Sequence, residues 1–264
     1  MNGATYAVRD SAIMLRRNLK HMARYPSQTL MLIGLPLLFL LLFVYVFGGT
    51  MGAGLPGAPA GDRGDYLTFI TPGILVMAVA SVSISTAVSV ATDMTGGIID
   101  RFRTMAIAKV SVLTGHVLGA MIQTALALVT VFGVAFLLGL ETAASAMQWL
   151  GLAGLLALLS FAMTWFTVAL GLASPNPETA SNWPMIFILL PFVGSGFVPV
   201  ASMPTGLRWF AEYQPFTPIM NACRGLLAGS LDGSDVLWAI GWCVVIGLAG
   251  YLWSRRLYRT RAAN

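Results

Sequence analysis

The sequence predicts an all-α integral membrane protein with six transmembrane helices. Three observations carry this prediction: 57% of the 264 residues are hydrophobic, only 9% are charged, and the mean hydropathy is +0.80. A soluble domain is about half apolar and about a quarter charged, and a fold of this size has too little interior to hide the excess apolar surface. The composition therefore excludes a soluble enzyme, a disordered protein and a nucleic-acid-binding domain.

Six segments have the roughly 20 apolar residues that a spanning helix needs, and apart from Asp235 at the first position of the last segment they contain no Asp, Glu, Lys or Arg. They run over residues 29–47, 67–92, 114–140, 149–173, 184–202 and 235–253. The alternate connecting segments on one side of the membrane carry twelve of the fifteen basic residues. The positive-inside rule places that side, with both termini, in the cytoplasm. We expect residues 1–264 to form one transmembrane domain.

Residues 1–28 are predicted to form an amphipathic helix. Apolar residues recur every three or four positions from Val8 to Met22, which makes one apolar stripe. Basic residues lie among and beside this stripe, including Arg16, Arg17 and Lys20. A basic amphipathic helix lies in the membrane interface. It serves as a topology anchor, and contact with a cytoplasmic partner is compatible with that role.

Residues 93–113 form the second predicted cytoplasmic loop. On a helix, Ile98, Phe102 and Met105 share one face. The charged residues interleaved with that face are Asp100, Arg101 and Arg103. An element with one apolar face and one mixed-charge face suits docking into a groove of another protein. A plain solvated loop is the alternative, although it would expose Phe102 to water.

Residues 203–234 are too apolar for an ordinary exposed loop and are interrupted by residues such as Pro215. Non-helical backbone at membrane depth survives only where protein covers it or where it lines a wet cavity. We therefore expect short helices that re-enter the outer leaflet, with Trp209 and Tyr213 at the interface. Arg224 would bind a carbonyl or a lipid headgroup. Simple interfacial anchoring is the alternative to a role in substrate exit.

The sequence lacks the residues with which a membrane protein would power itself. The predicted spans have none of the core Asp, Glu or His residues of proton- and cation-coupled carriers. No phosphate-binding loop and no metal-ligand spacing of Cys and His occurs, so we expect no catalytic residue, metal site or cofactor in this chain. Ser195 lacks a general base in reach, which disfavours an intramembrane protease. The simplest interpretation is that a partner protein supplies the energy for transport, although a membrane scaffold without transport would share these features.

Several segments, taken together in order, carry a family resemblance over almost the whole chain. They are the basic amphipathic start, Tyr66–Gly73, Asp100–Met105, Asn176-Pro177 and the proline-rich run from Gly196 to Arg224. In these segments the chain resembles the type-2 ABC transporter permeases, and within them the membrane subunits of daunorubicin-resistance-like drug exporters. Ala106 departs from the family pattern, in which proline often follows the docking helix.

The resemblance implies a half-transporter that pairs with a second copy or with a sister permease. Arg101 and Phe102 would lie on a coupling helix, held by a separate ATP-binding subunit that is present in two copies and binds ATP and Mg²⁺. Residues 1–28 would form the interface helix, and residues 203–234 the outer re-entrant helices. The first and fifth spans would form the dimer seam, and the second and fifth would line the pathway.

The implied function is outward export of a hydrophobic or amphipathic drug or antibiotic across the bacterial plasma membrane. Membrane lipid and the substrate would be the other partners, and no nucleic acid is expected. Two alternatives stay open: the same machine could export an envelope lipid or polysaccharide, or the chain could be a membrane scaffold without transport. A secondary carrier is a third alternative, which the charge-free spans disfavour.

Overall fold

The computed structural model describes most of the chain, and these residues form helices, turns and irregular segments with no strand among them. The described residues are 13, 15–20, 22, 24, 26–55, 62–97, 109–230 and 232–260. The predicted all-α class is therefore confirmed. The helices are, in chain order, α1 (Pro26–Leu42), α2 (Gly48–Gly52), α3 (Arg63–Thr95), α4 (Lys109–Leu137), α5 (Ala146–Ala173), α6 (Pro177–Asn182), α7 (Ile186–Leu189), α8 (Thr205–Tyr213), α9 (Phe216–Ala228) and α10 (Gly233–Thr260).

Five helical segments within the described residues are long and apolar enough to cross a membrane. They match the predicted spans 29–47, 67–92, 114–140, 149–173 and 235–253 to within several residues. In the first of them, a π-helical turn (Phe43–Phe47) joins α1 to α2. The described residues between 13 and 24, within the predicted amphipathic segment, are also helical.

Local capping fixes several helix ends. Asp62 accepts hydrogen bonds from the main-chain N–H groups of Gly64 and Asp65 at 2.8 and 3.1 Å and so begins α3. Ser145 and Gln148 form a reciprocal capping box at the start of α5. At the end of α9, Gly229 adopts a left-handed conformation with φ of +75°, which glycine tolerates without steric cost.

The helices α3 and α5 form the centre of the bundle. In each of them 78% of the most apolar window is buried, against 22 to 28% in the other three candidate spans. A helix that is apolar all round is stable when protein surrounds it. The helices α1, α4 and α10 instead present apolar faces to the outside, where a bilayer would cover them. The close approach of α10 to α5 depends on Gly250, because a methyl group there would clash with the backbone of Phe166.

The two ends of the bundle differ in charge. At one end Asp93 of α3 lies beside His116 of α4, and the last turns of α10 carry Arg255, Arg256 and Arg259. We call this the basic end. The other end holds residues 138–145 and the segment after Val193, and we call it the opposite end.

The predicted fifth span, residues 184–202, differs from its prediction because it is not one continuous helix. The helices α6 and α7 are separated by a 3₁₀ turn at Trp183–Met185, and a second 3₁₀ turn at Leu190–Val193 follows. Pro184 and Pro191 cannot donate a main-chain hydrogen bond, so they interrupt the helical pattern. The apolar composition predicted the length of this segment but not the interruptions at Pro184 and Pro191.

We call residues 177–202 the broken segment, and it runs antiparallel to α3. Near the basic end, Ala180 packs with Ala87 and Ala91 of α3. Towards the opposite end, Gly196 lies against Gly73, where a methyl group on Gly73 would be 2.8 Å from the Gly196 oxygen. Glycine at both positions lets the two backbones touch. The segment therefore contacts α3 from Ala91 near the basic end to Gly73 near the opposite end.

Residues 203–234 contain the short helices α8 and α9, while the re-entry of these helices into the outer leaflet stays a prediction. Gln214, between the two helices, donates through Nε2 to the carbonyl of Leu190 at 3.0 Å. Thr142 donates to the carbonyl of Leu227 at 2.7 Å and holds α9 against the α4–α5 connection. The two helices are therefore attached to the broken segment and to the bundle.

Candidate coupling and translocation site

The residues predicted to contact an ATP-binding subunit lie outside the described residues. They are Ile98, Asp100, Arg101, Phe102, Arg103 and Met105. The structure does describe the two points between which this loop runs. The helix α3 ends at Thr95 and is followed by Gly97 with φ of +67°, and α4 begins at Lys109. Both points are at the basic end.

A cluster of three polar side chains lies at the bundle end from which this loop extends. Arg17 donates through Nη2 to Asp93 Oδ1 at 2.9 Å, and the other carboxylate oxygen of Asp93 is 3.1 Å from His116 Nε2. Asp93 and His116 are buried, each with 6% of its surface exposed. We call Arg17, Asp93 and His116 the basic-end cluster. It connects the N-terminal helical residues to the end of α3 and to the start of α4, which lie on either side of the loop.

The N-terminal helical residues make a second contact with α4. Asn18 donates through Nδ2 to the carbonyl of Gly115 at 3.0 Å. The three predicted interface residues are all exposed, and Arg17 also takes part in the cluster. Arg16 and Lys20 therefore leave positive charge on the outer surface of this helical segment.

A polar cavity of about 260 Å³ lies beside the basic-end cluster. Besides the cluster, its lining includes the hydroxyl of Ser89 and the amide of Gln123. Gln123 donates to the hydroxyl of Thr29 at 3.3 Å, which adds α1 to the connected elements. A polar space of this size has room for water. The ends of α3 and α4 are therefore not closely packed against each other on this side.

Sequence reasoning missed the basic-end cluster. The predicted loop begins at Asp93, and His116 is the third residue of the predicted span 114–140, but neither position indicates a contact between them. The available signal was an acid and a base at the two ends of the same predicted loop, each adjoining an apolar helix. Their pairing with Arg17 depends on where the N-terminal residues lie, which helical periodicity does not specify.

At the opposite end, Arg224 connects α9 with the break that follows Val193. Its Nη2 donates to the carbonyl of Ser195 at 2.6 Å and to that of Phe69 at 3.2 Å, while Nη1 donates to Asn221 at 2.9 Å. The guanidinium lies 4.3 Å over the Phe69 ring, a favourable cation–π position. Burial lowers the pKa of Arg224 to about 10, which leaves it cationic at neutral pH. Of the two roles expected for Arg224, the structure therefore has the carbonyl contact.

The Phe69 carbonyl lies in the turn of α3 before Pro72, which has no N–H to donate to the carbonyl of Thr68 four residues earlier. Ser195 donates through Oγ to the same Asn221 oxygen that Arg224 binds, at 2.7 Å. One cation thus binds oxygens of three separate chain segments. This arrangement stabilises irregular backbone that would otherwise leave carbonyls unpaired.

The predicted interfacial residues of α8 are exposed. Trp209 and Tyr213 have 66% and 65% of their surface exposed, and their ring centroids are 5.5 Å apart. Pro215 lies at the N-terminal cap of α9 and begins the second short helix. An exposed aromatic pair of this kind is typical of a membrane–water interface.

Four phenylalanines join α1 and its π-helical turn to the broken segment. They are Phe39, Phe43, Phe192 and Phe197, and we call them the aromatic cluster. The rings of Phe192 and Phe197 stack with centroids 4.3 Å apart, and the Phe43 ring is 4.7 Å from that of Phe197. Tyr66 donates its hydroxyl to the carbonyl of Phe197 at 3.2 Å, so the cluster is also attached to α3.

The apolar helices and their arrangement define a multi-pass membrane protein. Residues 10–228 match the ABC-2 type transporter family, and the chain belongs to this family of transporter permeases. It is 30% identical over 261 residues to the daunorubicin resistance ABC transporter permease protein DrrB1 of Streptomyces coeruleorubidus, across 98% of this chain and 89% of that protein. It is 25% identical over 251 residues to the probable doxorubicin resistance ABC transporter permease protein DrrC of Mycobacterium tuberculosis, across 92% and 87%. Membership of this family implies association with an ATP-binding subunit and a permease partner.

Proposed function

We propose that the chain is the membrane-spanning subunit of an ATP-driven exporter that moves a hydrophobic or amphipathic drug or antibiotic outward. The observation that carries the proposal is the 30% identity to a daunorubicin resistance permease across 98% of the chain. The second relative, whose name refers to doxorubicin resistance, supports the same substrate class. The chain itself would be no enzyme, and ATP with Mg²⁺ would bind to the partner subunit.

The protein would lie in the bacterial plasma membrane with six crossings and both termini in the cytoplasm. The broken segment would supply the sixth crossing, and its antiparallel course along α3, from Ala91 to Gly73, supports this assignment. The basic end would then face the cytoplasm, in agreement with the positive-inside rule. Residues 203–234 would lie in the outer leaflet.

Cysteine labelling tests the sixth crossing. The native Cys223 and Cys243 are buried, so a membrane-impermeant maleimide should give little background. Glu178 and Ser202 lie at the two ends of the broken segment and are both exposed. We expect Ser202→Cys to be labelled in intact cells and Glu178→Cys only after permeabilisation. Labelling of both in intact cells would contradict a crossing between them.

Energy coupling would pass through the loop between α3 and α4. Ile98, Phe102 and Met105 would dock into one of the two ATP-binding subunits, with Arg101 and the neighbouring charges at the rim. Movement of this loop would be transmitted to the N-terminal segment, because the basic-end cluster joins Arg17 to both helix ends. The exposed Arg16 and Lys20 would contact lipid headgroups or the same partner.

The translocation path would lie between this chain and a second copy or a sister permease. Without charged groups in the core of the spans, it would hold its substrate by apolar and aromatic contact. The aromatic cluster would close the outer end of the path. The Arg224 contacts would keep α8 and α9 attached to the break while the helices shift.

Inverted membrane vesicles test the function. Vesicles containing the chain and its ATP-binding partner should quench doxorubicin fluorescence on addition of MgATP, and the uptake should persist with a protonophore. The matched control is the same complex with the catalytic glutamate of the partner changed to glutamine, which should take up nothing. ATP-independent, protonophore-sensitive uptake would indicate a secondary carrier.

Two further outcomes separate the remaining alternatives. If no ATP-binding subunit copurifies with the chain, the scaffold alternative is favoured. If the complex hydrolyses ATP and cells lacking it have altered surface lipid or polysaccharide but unchanged drug resistance, the exported substrate is an envelope component.

A further inference from the structure

The polar cavity beside the basic-end cluster has a row of polar groups along one face of α3. Ser85, Ser89 and Asp93 all line the cavity. They are spaced four residues apart, so they lie one above another over about 12 Å of the helix. Arg17 and Ser89 are exposed, so the cavity is open to the outside of the bundle at the basic end.

The hydroxyls of Ser85 and Ser89 are available to a ligand. Ser85 is half-buried and Ser89 is exposed, and neither hydroxyl has a hydrogen-bond partner among the residues that the structure describes. A serine in a helix usually donates to a carbonyl one turn earlier. Other hydroxyls of α3 do so, including those of Ser81, Ser83, Thr86 and Thr92.

The charged groups of the lining indicate the chemistry of the occupant. The side chain of Asp93 is 8% exposed and contacts Arg17 and His116. A carboxylate has about four lone-pair positions, so Asp93 can accept from a further donor. The side chain of Arg17 is 41% exposed and carries positive charge to the surface. The cavity therefore complements a molecule that has both an anionic group and a cationic hydrogen-bond donor.

The surroundings of the cavity indicate that this molecule is a phospholipid. Thr29 of α1 and Gln123 of α4 line the cavity. Their chain neighbours Leu30 and Ile122 are 68% and 43% exposed, on helices whose outer faces a bilayer would cover. Acyl chains can therefore lie along α1 and α4 while the attached headgroup lies in the cavity. A basic amphipathic segment, such as the one that includes Arg17, lies at headgroup depth.

We infer that the polar cavity binds a phospholipid whose headgroup carries a primary ammonium, as in phosphatidylethanolamine. The ammonium donates to the Asp93 carboxylate and to the hydroxyl of Ser89, one turn away. The phosphate lies at the positive charge of Arg17, and the hydroxyl of Ser85 donates to an oxygen of the phosphate or of an acyl ester. This binding requires neither ATP nor a partner subunit, so it does not depend on the proposed function.

Competition between phospholipids for the purified full-length chain in detergent tests the inference. Equal amounts of dioleoyl-phosphatidylethanolamine, dioleoyl-phosphatidylcholine and dioleoyl-phosphatidylglycerol are added, and native mass spectrometry measures how much of each stays bound. Phosphatidylcholine has the same phosphate, but its quaternary ammonium has no N–H to donate. We therefore expect about tenfold more bound phosphatidylethanolamine than phosphatidylcholine.

Three variants separate the contacts of the headgroup. Ser89→Ala should lower the preference for phosphatidylethanolamine over phosphatidylcholine about threefold, because one acceptor of the ammonium is lost. Asp93→Asn should remove the preference, because the negative charge is lost. Ser85→Ala should weaken the binding of both lipids to the same extent, because its partner is an oxygen that both lipids have.

The matched control is Ser83→Ala. Ser83 is on the same helix, but its hydroxyl donates to the carbonyl of Val79 at 2.8 Å and it does not line the cavity. It should leave the preference unchanged. Ser89→Ala should also leave the unfolding temperature in detergent unchanged, because the Ser89 hydroxyl has no partner in the described protein to lose. A folding defect would then not account for its loss of preference.

Equal binding of phosphatidylethanolamine and phosphatidylcholine, or an unchanged preference in Ser89→Ala, would overturn the inference and leave the cavity to water. Stronger binding of phosphatidylglycerol than of phosphatidylethanolamine would also overturn it, because the exposed cations would then select the lipid without Asp93. A retained preference without ATP-driven uptake of any drug would leave this inference standing and contradict the proposed function instead.

Discussion

Arg17 and Asp93 form an ion pair, with 2.9 Å between Nη2 and Oδ1, across 76 residues of sequence. The pair attaches the N-terminal helical segment to the last turns of α3. Its two members differ in environment, because the side chain of Arg17 is 41% exposed and that of Asp93 only 8%. The two residues should therefore differ in what their removal costs.

The first prediction is a graded loss of stability at the basic-end cluster. Asp93→Ala should lower the free energy of unfolding by about 2 kcal/mol, because Arg17 and His116 lose a shared acceptor. Arg17→Ala should cost only about 0.5 to 1 kcal/mol, since solvent screens an exposed pair. Unfolding by denaturing detergent measures both values. The control is Arg16→Ala, which is exposed and should change stability by less than about 0.5 kcal/mol.

The same variants test whether the cluster takes part in coupling. If it transmits movement of the loop, Arg17→Ala should lower drug uptake per ATP hydrolysed by more than its small effect on stability explains. Uptake and hydrolysis are measured on the same vesicles. If the rates of drug uptake and of ATP hydrolysis fall in proportion, the cluster is only a structural contact and takes no part in coupling.

The second prediction concerns the proposed docking loop. Phe102→Asp should reduce ATP-driven drug uptake at least about tenfold, because a carboxylate placed in an apolar cleft loses its hydration. Membrane insertion should be unchanged, and membrane fractionation measures it. Phe102→Leu keeps an apolar side chain and is the control. Full uptake by the Asp variant would exclude Phe102 from the coupling contact.

Five of the helices followed from composition, because a run of about 20 apolar residues has few stable alternatives in a membrane. Pro184 and Pro191 are also visible in the sequence. Their consequence is not, since proline within a spanning helix is tolerated when neighbouring groups bind the freed carbonyls. Whether such groups exist depends on tertiary contacts such as that of Gln214 with Leu190.

The polar contacts could be predicted only in part. A role for Arg224 in binding a carbonyl followed from its position in an apolar segment, but its actual partners, Phe69 and Ser195, lie 155 and 29 residues away. The buried hydroxyls of Thr124 and Ser160 have no hydrogen-bond partner in the structure, and no sequence signal indicated this. A serine or threonine that donates to its own helix has the same local sequence character as one that does not.

The third prediction is that lysine does not replace Arg224. A guanidinium donates in several fixed directions, whereas an ammonium is a single point charge. Arg224→Lys should therefore lose at least one contact among Phe69, Ser195 and Asn221 and lower the free energy of unfolding by about 2 kcal/mol. The matched control is Arg208→Lys, because Arg208 is half exposed and pairs with Glu212 within α8. It should change stability by about 0.5 kcal/mol or less.

A second measurement on the Arg224→Lys variant is the accessibility of the backbone at Ser195. Because Arg224 binds the Ser195 carbonyl, loss of this hydrogen bond should expose the break, so Ser195→Cys should react faster with maleimide when residue 224 is lysine. Equal reaction rates in both backgrounds would show that other contacts hold the break in place.

The last prediction concerns the backbone contact between α3 and the broken segment. A methyl group on Gly73 would lie 2.8 Å from the oxygen and 2.9 Å from the Cα of Gly196, which is too close without separating the two elements. Gly73→Ala should therefore destabilise the protein by about 1 to 3 kcal/mol. Gly133→Ala is the control within α4, where no heavy atom lies within 4 Å of the added group, and it should stabilise the helix by up to about 1 kcal/mol. Opposite signs are the diagnostic result, because a general effect of replacing glycine in a membrane helix would move both variants in the same direction.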